Sequence, residues 1–402
     1  MEEKKTNKKL IWTILFAVVS VAVCYLFIVA YFYYISPNNI AAKLTVWPFA
    51  NEENTSKMYK EAVVDIRFST YNQDTFEKDT VNVTGVNIRE DGFVLAPYSK
   101  IKVSDNGEYK ILTNSGAVYD GKLLFCQKDL NLAVFKCEKL TENQKIKIPY
   151  VKIAKSNPKT YSSVLAISCM SNAKDFWSGH VVEDGWIDCK KTVVDTHYCV
   201  DYVIEDCYTA YLKSNSQEMT DCALFDMKGN LLGFSFESTL EDGNYIVAPV
   251  YYSKLFINDV INAYFKGETY QNALVDAFGG LDKYEMECNF EVLNLNNEEL
   301  RDKIYFDGSF TAVTSGMKYF NQQVDISGIF MLKNVSYKGQ EPLEIGDVLS
   351  KISINGSIYN IETKVDLLEI LYNLDEGDKV VLIYYDSLSN ISSTTKQIKI
   401  VI

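Results

Sequence analysis

The sequence is poor in histidine and arginine, the two residues most often used for acid–base catalysis, metal ligation and phosphate recognition. It contains two histidines among 402 residues, and its only arginines are Arg67, Arg89 and Arg301. No Cys-x-x-Cys pair or cysteine–histidine cluster has the spacing of zinc ligands. The net charge is −13, and no basic cluster follows the first nine residues. We therefore expect no metal, no cofactor and no nucleic-acid partner.

One long apolar run dominates the N-terminus. Residues 10–35 contain no charge, glycine or proline and are numerous enough to span a bilayer. The run ends in four aromatic residues at 31–34, as at a membrane interface, whereas a cleaved signal peptide, the alternative, has a shorter core followed by small residues. Four lysines in residues 1–9 are kept inside by the positive-inside rule. The sequence predicts a cytoplasmic tail (1–9), a single-pass helix (10–35) and an extracytoplasmic remainder.

Nine cysteines are present, and all except Cys24 follow the predicted membrane helix. An even number outside the cytoplasm permits disulfides, but the sequence does not give their pairing. Cys126 and Cys137 lie within the apolar runs LLFC and AVFKC. For these two, a buried free thiol is the alternative interpretation.

The remainder begins with a polar stalk at 36–58 and then changes character. From Tyr59 onward, short apolar runs alternate with turn residues, a pattern typical of an all-β barrel or sandwich. The stretch ALFDMKGNLLGF at 223–234 predicts a hairpin. Its turn contains Gly229, which can adopt the positive φ that a tight turn needs.

This hairpin resembles the segment after the nucleophile in chymotrypsin-like serine proteases of the HtrA (DegP) family, where G-N-S-G-G-P runs into L-x-N-x-D-G-x-V-I-G. Further runs resemble that protease domain in the same order: EAVVDIRFST, TGVNIREDGFVLAPYSKI, YKILTNSGAVYDGKLLFCQKDLNLAVFK and NYIVAPVYYSKLFINDVI. The resemblance implies a trypsin-like, chymotrypsin-type double β-barrel at 59–265, followed by a linker at 266–284.

The C-terminal part resembles the PDZ domain of the same family. The runs ECNFEVLNLNNEELRDKI, SGIFMLKNV, LEIGDVLSKISINGSIYN, VDLLEIL and GDKVVLIYYDS follow in PDZ order. The motif E-I-G-D-V-L-x-x-I-x-I-N-G is the sharpest of these matches. The predicted fold class is therefore mainly β: an N-terminal transmembrane helix, a double β-barrel, and a PDZ-like α+β domain at 285–402.

When the family's catalytic positions are carried over one by one, none of them is occupied by the residue that the triad needs. Ser–His–Asp chemistry needs a hydroxyl nucleophile, an imidazole base, a carboxylate to orient it, and glycine-dependent backbone donors for the oxyanion. Ser99 falls on the histidine, Asn131 on the aspartate and Thr220 on the serine. Glu218 replaces the glycine two residues before the nucleophile. We expect no catalytic residue at these positions, because a serine cannot act as a base near neutral pH.

A rearranged active site is the alternative, and it would require other residues. His180 and His197 are the only imidazoles, and Ser214 and Ser216 are alternative nucleophiles without a flanking glycine. Four carboxylates near the nucleophile segment could form an acid–base pair or a calcium site, or they could be solvated charges: Asp201, Glu205, Asp206 and Asp221. The spacing of oxygen ligands with a turn glycine is absent.

By the same resemblance, the PDZ-like domain would bind an extended peptide at a sheet edge. The groove would lie between the strand at 289–292 and the helix at 365–371. A glutamate in the carboxylate-binding loop, at 287–290, would repel a free chain terminus, and some of the leucines could belong to the core instead. The candidate peptide-binding residues are Asn289, Phe290, Glu291, Val292, Leu367, Leu368 and Leu371.

The sequence thus favours a membrane-anchored HtrA-like pseudoprotease. It would bind extracytoplasmic polypeptides or partner proteins as a scaffold, sensor or regulator in protein quality control. An active membrane-anchored serine endopeptidase with a rearranged site is the alternative, and a purely structural envelope protein is a third. Family analogy adds a homo-oligomer, or a hetero-oligomer with active relatives.

Overall fold

The computed structural model describes twenty segments of the chain. They are residues 2–31, 38–40, 58–71, 78–101, 108–156, 158–171, 178–194, 204–212, 222–236, 244–270, 279–281, 285–288, 292–294, 328–331, 334–337, 340–344, 347–362, 364–374, 377–386 and 396–401.

The predicted N-terminal apolar helix is present as α1 (Glu2–Ala30). Its segment Ile11–Ala30 has a mean hydropathy of 2.7 and is not buried within the part of the chain that the structure describes. Twenty helical residues rise about 30 Å, the thickness of a hydrocarbon core. The helix is long and apolar enough for a membrane anchor, and a signal sequence meets the same criteria.

Six strands form a first closed barrel. β1 pairs with both β2 and β4, β3 joins β2 to β6, and β5 completes the circuit by pairing with β4 and β6. All of these pairings are antiparallel. The strands are β1 (Val63–Tyr71), β2 (Lys78–Asn87), β3 (Phe93–Pro97), β4 (Glu108–Thr113), β5 (Val118–Gln127) and β6 (Leu132–Glu138).

The sequence of strand β3, FVLAP, does not alternate between apolar and polar residues, because both faces of the strand are buried. Val94 and Ala96 point into the core of the first barrel, whereas Phe93 and Leu95 point into a second core that residues of the other barrel share. Every residue of β3 is therefore buried. A strand covered on both faces is expected to be continuously apolar.

A second set of strands closes in the same way. β8, β9, β10, β13, β12 and β11 form an antiparallel circuit, and β7 adds in parallel to β12. The predicted hairpin is confirmed as β11 and β12, with Gly229 at φ 91° in the turn. The strands are β7 (Lys152–Ile153), β8 (Ser162–Ser171), β9 (Ser178–Val194), β10 (Ile204–Leu212), β11 (Ala223–Asp226), β12 (Asn230–Phe236) and β13 (Asn244–Pro249).

The prediction of a mainly β chain with a chymotrypsin-like double barrel is confirmed by these pairings. Each barrel has six strands, and the second core lies between the two barrels. A helix, α2 (Lys254–Lys266), follows the second barrel. It packs Phe256, Val260 and Ile261 into the shared core and ends at Gly267, whose φ of 74° gives it a left-handed C-cap.

Two short strands after α2 extend the first sheet. β14 (Gly279–Leu281) pairs with β15 (Glu285–Cys288), and β15 pairs in parallel with β5 at Cys126 and Gln127. The sequence interpretation had assigned β15 to the opening of the PDZ-like domain. The structure instead places it on the sheet of the first barrel.

The C-terminal part forms a further sheet with the order β16-β17-β20-β22-β23, with β21 paired to β20. Asn355 and Gly356 turn β20 into β21 at φ 50° and 92°, the type I′ signature that their sequence predicts. The helix is α3 (Lys364–Tyr372), and the strands are β16 (Val292–Asn294), β17 (Ile329–Met331), β18 (Val335–Tyr337), β19 (Gln340–Leu343), β20 (Val348–Ile354), β21 (Ser357–Asn360), β22 (Lys379–Tyr385) and β23 (Lys396–Val401). The assignment of this sheet to a PDZ-like domain stays a prediction.

The described part of the stalk is fastened to the barrels at two points. Asn39 forms a parallel bridge to Tyr150, with hydrogen bonds from the Tyr150 N–H to the Asn38 carbonyl (2.9 Å) and from the Ile40 N–H to the Tyr150 carbonyl (3.2 Å). A helical turn at 58–62 then leads into β1 and buries Tyr59 completely. The chain is thus held close to the first barrel soon after α1 ends.

The cysteines described with their side chains are free thiols. Cys126 and Cys137 are fully buried, which confirms the free-thiol interpretation for these two. Burial raises the pKa of the Cys137 thiol to about 12. A thiol held in its neutral form is a poor nucleophile.

Candidate functional site

The structure brings together the two triad-equivalent positions of the first barrel. Ser99 lies in the 3₁₀ turn Tyr98–Lys100 that follows β3, and Asn131 follows the turn Lys128–Leu130 that precedes β6. Because β3 and β6 are neighbours, with Pro97 opposite Leu132, their connecting turns meet at one end of the barrel. The Ser99 N–H donates to Asn131 Oδ1 at 2.7 Å, and the Tyr98 N–H donates to the Asn131 carbonyl at 3.1 Å.

Asn131 holds this corner through its unusual backbone. It adopts the left-handed conformation, with φ 49° and ψ 48°, and its residue is 1% exposed. Asparagine is one of the few residues with a side chain that tolerates this conformation. Its carboxamide oxygen accepts the hydrogen bond from the turn that carries Ser99. The residue at the aspartate position therefore has a structural role.

Neither side chain at this corner can move a proton near neutral pH. A carboxamide does not titrate, and a serine hydroxyl is not a base. The Ser99 hydroxyl is buried, and no residue in the described part of the chain gives it a hydrogen-bond partner. The two residues that the sequence resemblance placed at the histidine and aspartate positions therefore cannot supply the chemistry of those residues.

The other half of the predicted site lies outside the described residues. This applies to Glu218 and Thr220, and to the alternatives His197, Asp201, Ser214, Ser216 and Asp221. The chain is described again from Cys222, whose N–H donates to Ser235 Oγ at 2.9 Å. That hydrogen bond holds the start of the hairpin in place and does not involve the predicted nucleophile.

His180 lies on β9, directly opposite Cys169 of β8, so its predicted strand position is confirmed. The Cys169 N–H donates to Thr84 Oγ1 of the first barrel at 3.1 Å. This part of the second barrel therefore touches the first barrel. Glu205 and Asp206 lie on β10.

Sequence reasoning missed a buried ion pair next to this contact. Arg67 Nε lies 2.8 Å from Asp65 Oδ2, and the Asp65 side chain is fully buried. Burial raises the pKa of Asp65, and the hydrogen bond and charge of Arg67 partly oppose that rise. Within the described part of the chain, Asp65 Oδ1 has no hydrogen-bond partner. The signal in the sequence was the pair of charges at alternate positions in VVDIRF.

The cysteine beside this pair does not supply a nucleophile. Burial and the nearby Asp65 carboxyl raise the pKa of Cys169 well above its ordinary value. The thiolate is the reactive form of cysteine, so a thiol in this setting is inert.

The predicted peptide-binding residues fall into two groups. Leu367, Leu368 and Leu371 on α3 are buried in the hydrophobic core, and Val292 begins β16, opposite Met331 of β17. Asn289, Phe290 and Glu291 lie outside the described residues. Among the residues that the structure does describe, no three His, Cys, Asp or Glu side chains cluster as metal ligands do.

No protein-family model matches the chain, and no curated protein matches it. Among solved structures, the chain is similar to one described as the crystal structure of the serine endoprotease from Yersinia pestis. The identity is 14% and the TM-score 0.49, and the match covers 87% of this chain and 97% of that chain. Values this low establish neither a family nor an activity. The strand pairing by itself shows the double-barrel fold of trypsin-like serine proteases.

Proposed function

We propose that this chain is a membrane-anchored pseudoprotease that binds extracytoplasmic polypeptides without cutting them. The observation that carries the proposal is the 2.7 Å hydrogen bond from the Ser99 N–H to Asn131 Oδ1. It occupies the corner where an active enzyme would need its base and the carboxylate that orients that base. The corner is well built, but its two side chains cannot activate a nucleophile.

The sequence on the other side of the site supports the same conclusion. Thr220 stands at the nucleophile position and Glu218 at an oxyanion-hole glycine. A carboxylate there would oppose the negative charge that develops on the substrate in acyl transfer. By the resemblance, three triad positions and one oxyanion position therefore differ from those of an active protease.

Binding would fall to the C-terminal sheet. Among the described strands, β16 lies at one end of the sheet order and pairs with β17; a strand at a sheet edge can accept an extended peptide as an added strand. α1 would hold the protein at the membrane, where exported chains emerge. The proposed role is that of a scaffold, sensor or regulator in protein quality control.

The test uses the full-length chain in detergent or nanodiscs, incubated with unfolded casein and with a fluorophosphonate probe. Thr220→Ala serves as the matched variant. We expect no cleavage and no labelling in either protein. Labelling that Thr220→Ala abolishes would overturn the pseudoprotease proposal and establish a rearranged active site.

The binding half of the proposal has its own measurement. Fluorescently labelled, unfolded casein is titrated with the full-length chain, and its anisotropy is followed. We expect saturable binding with the casein left intact on a gel. A flat titration would overturn the binding role and leave a purely structural function.

A further inference from the structure

A group of lysines lies around a cavity of about 720 Å³ beside the first barrel. We propose that this cavity, the lysine pocket, binds the phosphate of an anionic phospholipid in the membrane that holds α1. The proposal rests on the anchoring part of the proposed function. Four lysines line the pocket: Lys136, Lys139, Lys145 and Lys147.

The charge of the pocket is opposite to that of the protein. The chain carries a net charge of −13, whereas the four lysines face two carboxylates, those of Glu90 and Asp91. Asp91 already forms an ion pair with Arg89, whose Nε lies 3.0 Å away. Two other carboxylates oppose an anion: Glu90, which lines the pocket, and Glu138, which accepts a hydrogen bond from the pocket residue Tyr264 at 3.5 Å. The local balance remains positive.

Three of the lysines are available to a ligand. Lys139, Lys145 and Lys147 are exposed, and within the described ranges no carboxylate forms an ion pair with them. Ammonium groups are standard phosphate ligands, which act as point charges. The presence of several ammonium groups around one cavity favours an anion with several oxygens.

The ammonium group of Lys136 is buried and held in a fixed position in the pocket. It is 6% exposed, and its ammonium donates to the carbonyls of Asp91 (2.6 Å) and Cys137 (2.7 Å). An ammonium has three donors, so one remains after these two bonds. Its position 5.4 Å above the Phe93 ring and 5.8 Å from the Tyr264 ring holds the charge in place.

An exposed aromatic side chain adjoins the charges. Phe265, near the end of α2, lines the pocket and is 57% exposed. Arg89 lies over its ring at 5.3 Å. A basic site next to an exposed aromatic ring suits the boundary between headgroups and acyl chains better than bulk water.

The stalk brings this pocket to the membrane. Asn38 lines the pocket, and it follows Tyr31, the last described residue of the α1 segment, by seven positions. Seven residues span at most about 25 Å when fully extended. The pKa of Tyr150, which pairs with Asn38 and Ile40, is raised first by burial and then by Glu90 and the Tyr31 phenol. The end of α1 therefore lies near the pocket.

The experiment uses the full-length chain in nanodiscs of phosphatidylcholine, with and without phosphatidylglycerol, and follows hydrogen–deuterium exchange in peptides covering 139–150 and 261–268. We expect the anionic lipid to slow exchange in both peptides by about tenfold. Each lysine near an anionic surface adds to the attraction for the lipid, and the bound lipid shields the backbone amides around the pocket. The effect should shrink as salt is raised. Inorganic phosphate added to phosphatidylcholine discs should not reproduce it.

Two variants that lose the same charge distinguish binding at the lysine pocket from a general electrostatic attraction of the whole protein to the membrane. Lys139→Gln/Lys145→Gln/Lys147→Gln should lose the protection, while Lys155→Gln/Lys159→Gln/Lys228→Gln, which changes exposed lysines elsewhere, should keep it. Protection by free phosphate alone would overturn the lipid as ligand, and equal exchange in both lipid mixtures would overturn the site. If the wild-type chain fails to enter nanodiscs at all, the anchor and the lipid proposal fall together.

Discussion

The ring of Tyr59 lies almost parallel to that of Phe225, with centroids 4.7 Å apart and planes at 11°. Tyr59 belongs to the helical turn that leads into the first barrel, and Phe225 belongs to the hairpin of the second. The Tyr59 hydroxyl accepts a hydrogen bond from the Gly229 N–H at 2.7 Å and donates one to the Asp226 carbonyl. One buried side chain therefore ties the chain before β1 to the hairpin turn.

Tyr59→Phe should lower the free energy of unfolding by about 1–3 kcal/mol, because it leaves the buried Gly229 N–H without its acceptor while keeping the stacked ring. Urea unfolding of the detergent-solubilised chain, followed by tryptophan fluorescence, measures the change. The matched control is Tyr359→Phe, whose tyrosine is 46% exposed and should tolerate the change. Equal midpoints for Tyr59→Phe and wild type would contradict a structural role for the hydroxyl.

The Asp65–Arg67 pair predicts unequal effects of its two partners. Arg67→Ala should cost about 3–5 kcal/mol, since it leaves a buried carboxylate without its cation. Asp65→Asn keeps an oxygen that can accept from Arg67 Nε and should cost much less. Thermal unfolding of both variants tests this order; a more damaging Asp65→Asn would show that the charge of Asp65 stabilises the interface.

The same pair predicts a direction for the effect of pH. Burial raises the pKa of Asp65 above its ordinary 3.8 in the folded state, so the folded chain holds this proton more tightly than the unfolded chain. The contribution of Asp65 to stability is therefore greatest below pH 3.8 and falls as pH rises through its raised pKa. Asp65→Asn should therefore gain stability relative to wild type as pH rises above 3.8. A difference that stays constant with pH would contradict the raised pKa.

Gly233 lies at a position where no side chain fits. A Cβ added there would lie 2.1 Å from the Ala248 carbonyl oxygen, a backbone atom of the neighbouring strand. Gly233→Ala should cost about 3 kcal/mol, at the upper end of overpacking effects, because β12 and β13 must separate. Gly116→Ala is the control: its φ is +81° and nothing lies within 4 Å, so only backbone strain of about 1–2 kcal/mol applies. Unfolding midpoints in urea rank the two, and equal losses would refute the steric argument.

Two substitutions of Asn131 should differ in their effect on the stability of the fold. Asn131→Ala removes the acceptor of the Ser99 N–H and places a residue with a poor left-handed preference at φ 49°, so we expect a loss of about 1–3 kcal/mol. Asn131→Asp keeps both properties but places a carboxyl group at a site that is only 1% exposed, so it should be close to wild type at low pH, where the carboxyl is neutral, and lose stability as pH rises. Neither change should create fluorophosphonate labelling. Labelling of Asn131→Asp would mean that a base is present elsewhere in the site.

Local features of the fold could be read from the sequence because they depend on few residues. The Gly229 turn and the Asn355-Gly356 turn each follow from the φ that their residues allow. The juxtaposition of Ser99 and Asn131 also followed, since the resemblance placed them on the histidine and the aspartate of one triad. Strand order could not be derived this way. The segment EMEC has a strand pattern, but nothing in a two-residue period states whether it joins β5 or a later sheet.

The lysine pocket and the Asp65 pair were missed for a related reason. Lys136 appears in the sequence as a charge interrupting the run AVFKC, but one of its partners, the Asp91 carbonyl, is 45 residues away along the chain. Asp65 is buried because β8 of the second barrel covers it near Cys169. In both cases the packing of distant segments determines the environment of the charge, and no local pattern encodes it.

The attachment of the stalk sets a limit on how the protein can be shortened. Ile40 is 2% exposed and Tyr59 is fully buried, and both belong to the core that the two barrels share. A recombinant fragment designed to begin at β1 would leave a hole at each of these places and an unpaired Tyr150. The smallest fragment that lacks α1 and keeps the barrels intact therefore begins at or before residue 38, eight positions after α1 ends at Ala30.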